Sequence, residues 1–213
     1  WPRCIQIAWQ LHDKNGACIS HEDYIVKPDG YTIPYDSEKI HGISTALAEN
    51  DGLTLDKVLE KFHFALERSE FVGGHNVKFD LNIMGAEFLR LSGKNPLEKL
   101  SIIDTCTEQT ASLCQLPGGR GGKFKFPTLS ELHNYLFGND FIEAHNATAD
   151  VEATTRCFFE LFRQGLIQPE VLINQPHVIN NLKEAIKHPV QGIGLNHQNL
   201  KETSSKLEMD DQE

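Results

Sequence analysis

The spacing of apolar and polar residues changes character several times along the 213-residue chain. In "RCIQIAWQL", residues 3–11, Ile5, Ile7, Trp9 and Leu11 fall on one side of an extended backbone and Gln6 and Gln10 on the other. That period of two predicts a strand with one buried face. "DKNG" follows, and Asn15-Gly16 predicts a tight hairpin because both residues tolerate positive φ. "CISHEDYIVKP" then returns as the partner strand and is closed by Pro28. Residues 29–50 read as a long connection. From there the period becomes helical, with Leu55, Val58, Leu59, Phe62, Ala65 and Leu66 behind Thr54 as N-cap and Asp56 in the first turn. "FVGGHN" (71–76) and "LSIIDT" (100–105) are short apolar runs that predict buried strands. Residues 79–92 predict a helix ended by Gly93. "TLSE" at 128–131 predicts a capping box opening a helix that stops near Gly138. Val151, Thr154, Phe158, Leu161 and Phe162 stripe the last strong helix. Beyond about residue 167 the stripe fades into a proline- and asparagine-rich tail or linker, with one short helix around 177–187.

A hairpin followed by alternating helices and short buried strands predicts a mixed α/β sheet flanked by helices, in one unit over residues 1–166, followed by the tail at 167–213. A hydrophobic fraction of 39% suffices for one buried core. No apolar run approaches the ~20 residues of a membrane span, and no signal peptide leads the chain. The five scattered cysteines, an odd number without CxxC spacing, predict reduced thiols in a cytoplasmic protein. Thirty acidic side chains against twenty Lys and Arg leave a net charge of −10. This balance disfavours coating long stretches of nucleic acid, but not a small site where metal ions supply the positive charge. The chain opens on Trp1 instead of Met, so it is expected to be a piece of a longer one.

Two segments carry chemistry. In "GGHNVKFD", Asp80 follows a buried strand at the entry to a helix. Taken alone it would serve as a cap. In "EAHNATADVEATTRCFFELF", His145 precedes the last helix and Asp150 falls in its first turns, beside apolar positions where a carboxylate needs a partner. Two carboxylates from separate helix starts and a histidine near neutral pKa suit metal-assisted hydrolysis. Carboxylates favour Mg²⁺ or Mn²⁺, and the imidazole can take a proton from an attacking water. A third segment, "LPGGRGGKFKFP" at 116–127, interleaves Arg120, Lys123 and Lys125 with Phe124 and Phe126. It reads equally as a grip on single-stranded phosphates and bases or as a solvated loop. It has no P-loop pattern. His12, His63, His133, His177 and His197 read as surface or packing residues, and Cys157 as a small core hydrophobe.

Together, "IHGIS", "GHNVKFD", "IIDT" and "HNATADVEAT", in that order, resemble the DEDD superfamily of 3′–5′ exonucleases over roughly residues 3–165. The His145-x₄-Asp150 spacing is similar to its histidine-bearing branch, that of the proofreading epsilon subunit of bacterial DNA polymerase III. The "LPGGRGGKFKFPTLSELH" stretch is similar to epsilon-type domains joined to some polymerase III alpha chains. The resemblance implies a ribonuclease-H-like fold and removal of nucleotides from DNA 3′ ends as 5′-monophosphates. It also implies two divalent metals, and a polymerase III catalytic subunit or covalently joined polymerase region as partner. Asp80 and Asp150 would be metal carboxylates and His145 the general base. Asn76 and Phe79 would contact the terminal nucleotides, with His41 in the loop beside them and Asp104 structural. The family draws two further carboxylates from a D-x-E motif on a first central strand, which would precede this hairpin. Asp13, Glu22 and Asp23 do not occupy that place, so the resemblance implies a sheet lacking its first central strand and a chain of impaired activity. Trimming of RNA 3′ ends, and a nuclease-dead module that binds DNA ends or docks on a polymerase, are the alternatives.

Overall fold

The computed structural model describes residues 1–139 and 147–167. His145 and the tail from 168 lie outside the described residues. Strands β1 (Gln6–His12) and β2 (Cys18–Ile25) form the expected antiparallel hairpin, with Ile7 opposite Tyr24 and Trp9 opposite Glu22. The turn differs from the expected one. Only Gly16 has positive φ, at 81°, and Asn15 does not. The Asp13 carboxylate accepts from the Asn15 and Ala17 amides at 2.8 and 2.9 Å, and the Gly16 amide donates to the Asp13 carbonyl. Asp13 thus builds a four-residue turn whose register shifts by one between Leu11 and His12, and glycine alone needs the left-handed conformation.

The predicted connection over 29–50 contains two short helices, α1 (Tyr35–His41) and α2 (Thr45–Asp51). Each is only seven residues long, too short to display a stripe. Helix α3 (Leu55–Glu67) follows, then β3 (Phe71–Gly74) and α4 (Lys78–Ser92), which ends on left-handed Gly93. Strand β4 (Ser101–Asp104) pairs in parallel with β3. Helix α5 (Glu108–Cys114), absent from the sequence expectation, is opened by a Thr107–Thr110 capping box. Helix α6 (Leu129–Phe137) has the expected Thr128–Glu131 box and Gly138 stop, and α7 runs Ala147–Arg163.

The strands lie between two helical layers in a mixed α/β, ribonuclease-H-like arrangement. On one face α3 and α4 bury Val58, Leu59, Met84 and Phe88 against Ile7, Tyr24 and Val72. On the other, α6 and α7 bury Leu132, Cys157, Phe158, Leu161 and Phe162 against Phe71 and Ile103. Phe71 and Val72 serve opposite cores because successive strand residues point to opposite faces. Ile167 also belongs to the α7 core.

Among the described residues the strands form two separate pairs, β1–β2 and β3–β4. Helix α7 packs against both β1 and β3. The outer edges of β1 and β3 carry no ladder among the described residues, and a cleft of about 1290 Å³ is lined by both strands.

At the N-terminus, buried Glu87 on α4 accepts from the Cys4 amide and the Arg3 Nε, both at 2.9 Å, and faces the Arg90 guanidinium at 3.2 Å. This clamp fixes where β1 begins. No helix among the described residues is long and apolar enough to cross a membrane.

Candidate active site

The cleft between β1 and β3 opens where β3 delivers the chain into α4. Asp104, at the end of β4, organises this turn. One carboxylate oxygen accepts from the Asn76 and Cys106 amides at 2.8 Å each, and the other accepts from the Val77 amide at 3.2 Å. Three backbone donors leave Asp104 a structural anchor. Asn76 takes a positive φ of 56°, which asparagine tolerates better than most residues. Gly74 makes the turn possible, because a Cβ there would lie 2.6 Å from the Cβ and Cγ2 of buried Val77.

Asp80, in the first turn of α4, and Asp150, in the first turn of α7, line the same cleft. Asp80 reaches solvent through the cleft mouth while the surrounding walls crowd it. That partial desolvation, with the like charges of Asp104 and Asp150, pushes its carboxyl from an ordinary 3.8 to about 6. Two hard oxygen donors that repel each other across a cleft fit a divalent cation, which would relieve the repulsion. Among the described residues no group of three or more His, Cys, Asp or Glu side chains is placed to hold a metal. Two carboxylates alone are a partial ligand set.

His41, Asn76 and Phe79 also line the cleft. The His41 Nδ1 accepts from the Ile43 amide at 3.1 Å, so the neutral ring carries its proton on Nε2. That atom is buried and has no hydrogen-bond partner among the described residues. Burial lowers the His41 pKa, outweighing the opposing charge of Glu38, and favours the neutral ring. Asn76 and Phe79 are exposed, with Phe79 at 51%.

Arg120, Lys123 and Lys125 do not line the cleft. The Lys123 ammonium pairs with Glu108 at 2.8 Å, and that of Lys125 with Glu131 at 2.6 Å. Phe126, from the same strip, does line it. So does His75, which no sequence pattern singled out. Its ring bridges the Thr105 hydroxyl at 2.9 Å and the Pro127 carbonyl at 3.0 Å. The second contact spans 52 residues, and no local period could reveal it.

The family model RNase_T, described as an exonuclease, matches residues 2–158. None of the curated proteins matches the chain. Solved structures do. E. coli Exonuclease I in complex with a dA16 oligonucleotide is 22% identical, with a TM-score of 0.56 over 84% of this chain and 38% of that one. The complex with a dT13 oligonucleotide is 24% identical, with a TM-score of 0.60 over 84% and 39%. The zinc-bound form of an E. coli ExoI–ssDNA complex is 24% identical, with a TM-score of 0.56 over 84% and 38%. The chain shares their fold and spans 38–39% of their length.

Proposed function

Because this chain belongs to the RNase_T exonuclease family, we propose that it is the nuclease portion of a 3′–5′ exonuclease that shortens single-stranded DNA ends to 5′-monophosphates. The observation that carries this reading is the cleft shared by Asp80 and Asp150, with the Asp80 carboxyl raised by crowding and by its acidic neighbours. The E. coli Exonuclease I complexes with oligonucleotides support single-stranded DNA as substrate.

Asp80 and Asp150 would hold divalent cations, Mg²⁺ or Mn²⁺. When bound, such ions acidify water and offset charge on the phosphate. His145 is the proposed general base that takes the water's proton. Asn76 and Phe79 offer an amide and an aromatic face to the terminal nucleotide, and His41 is the proposed substrate-contacting residue beside them. Residues 1–166 form the proposed nuclease unit. A partial ligand set calls for more carboxylates, and the facing open edges of β1 and β3 support a strand between them that supplies a D-x-E pair. Proofreading beside a polymerase III catalytic region is the setting suggested by the His145-x₄-Asp150 spacing.

The test joins a strand bearing D-x-E ahead of Arg3 and follows a 5′-labelled single strand with Mg²⁺ or Mn²⁺. Stepwise loss of nucleotides from the 3′ end is expected, slowed by His145→Ala by about 10²–10⁴-fold. Preferential digestion of a matched RNA would reassign the substrate. Binding without hydrolysis, in every metal tried, would identify a nuclease-dead module.

A further inference from the structure

The glycine-rich loop holds an arrangement that its composition does not suggest. Its cations and aromatics alternate, yet the structure uses them differently. Lys123 and Lys125 pair with Glu108 and Glu131 and do not line the cleft. Phe124 and Phe126 remain 45% and 49% exposed, and Phe126 lines the cleft together with Phe79, Asp80 and Asp150. Phe126 is held there by several constraints. The next residue, Pro127, is fully buried, and its carbonyl accepts from the His75 ring at 3.0 Å. The Lys125 amide closes the loop onto the Leu116 carbonyl at 2.9 Å. At Gly119 the backbone doubles back so tightly that a Cβ would lie 2.1 Å from the Lys123 carbonyl oxygen. Exposing a phenylalanine ring to water is unfavourable, and here the exposed ring is held by a fixed backbone at the edge of the cleft.

We infer that Phe126 is a nucleobase-stacking residue, which grips single-stranded substrate through its bases while the loop's lysines remain on their acidic partners. The inference rests on the exonuclease function proposed above and specifies how the substrate is held. Two aromatic rings from separate segments, Phe79 on α4 and Phe126 on the loop, offer π-faces to unpaired bases, which duplex DNA keeps stacked internally. Stacking tolerates any base, so this grip selects single strands without selecting sequence. It also suits a chain of net charge −10, which has little positive field with which to hold phosphates.

The test measures binding of two labelled oligonucleotides by fluorescence anisotropy, with Ca²⁺ present to neutralise Asp80 and Asp150. One is a short oligo-dT and the other is the same backbone with abasic sugars throughout. Wild type should prefer the base-bearing strand. Phe126→Ala should weaken that strand's binding about tenfold and leave abasic binding unchanged. Phe126→Trp should restore binding, and Phe126→Leu, which keeps bulk without a π-face, should not. The slope of log affinity against log salt should correspond to about two phosphates or fewer. Equal binding of both strands by wild type, or equal weakening of both by Phe126→Ala, overturns the inference and leaves the proposed function standing. A slope matching about four or more phosphates also overturns it. Binding of neither strand overturns both.

Discussion

Replacing Asp80 by Asn should change how the stability of the metal-free protein depends on pH, in a direction set by the cleft. The folded carboxyl titrates at about 6 against an ordinary 3.8. Between those values the folded chain holds a proton that the unfolded chain has released. Stability therefore falls as pH rises through this window and stays lower above it. For a fully buried group, a rise of about two units corresponds to about 3 kcal/mol. Asp80 is open to solvent at the cleft mouth, and screening reduces this to about 1 kcal/mol. In a chain of this size that is a change of about 2–4 °C in Tm. Thermal unfolding in EDTA, from about pH 4 to about pH 8, should show wild type losing those degrees relative to Asp80→Asn, whose amide does not titrate. The two curves should converge at the acidic end. Adding Mn²⁺ at neutral pH, in excess of the chelator, should recover the loss in wild type at concentrations that stabilise the variant much less. Parallel curves across the window, or a wild type that gains on the variant as pH rises, would refute the electrostatic account of the cleft.

Glu87→Ala should destabilise the protein by about 3 kcal/mol in urea titrations. The loss falls at the low end of the range for buried pairs because both guanidinium partners reach solvent and can rehydrate. A loss below about 0.5 kcal/mol would show that the clamp on β1 contributes little. Gly74→Ala should cost about 1–3 kcal/mol by overpacking against Val77 and should weaken oligonucleotide binding through the displaced turn, whereas unaltered stability would mean that the turn yields freely. Burial pushes the Cys4 and Cys157 thiols up to about 12, so alkylation at mildly alkaline pH should label exposed Cys18 and spare both until the protein unfolds. Labelling of either at the rate of Cys18 would contradict their burial.

The elements legible in the sequence are those whose burial is one-sided and long enough to repeat. The β1–β2 hairpin, α3 and α7 carry clear periods, and Gly93 and Gly138 mark helix ends that the structure closes with left-handed glycines. Helices α1, α2 and α5 escaped because seven residues display barely two turns. The hairpin turn departs from the expected one because the Asp13 side chain, four residues from its farthest partner, supplies what the Asn15-Gly16 pattern alone predicts. Asp150 is conspicuous as a carboxylate beside an apolar stripe, whereas Asp80 alone reads as a helix cap and gains a metal role only through the resemblance of its motif. The pairing of Lys123 with Glu108 and Lys125 with Glu131 was hidden. In sequence these lysines alternate with phenylalanines as a cationic strip would, and only folding brings the acids to them. His75 was invisible for the same reason, since its role depends on a carbonyl from a distant loop.

The account depends most on Asp80 and Asp150 sharing one cation. Titration of the protein with Mn²⁺ at neutral pH, followed by the loss of the free-ion electron paramagnetic resonance signal, addresses this directly. Wild type should bind Mn²⁺, and Asp80→Asn and Asp150→Asn should each, alone, weaken that binding about tenfold or more, since either loss removes a charged oxygen ligand. Binding of the same strength in wild type and both variants would contradict the shared site.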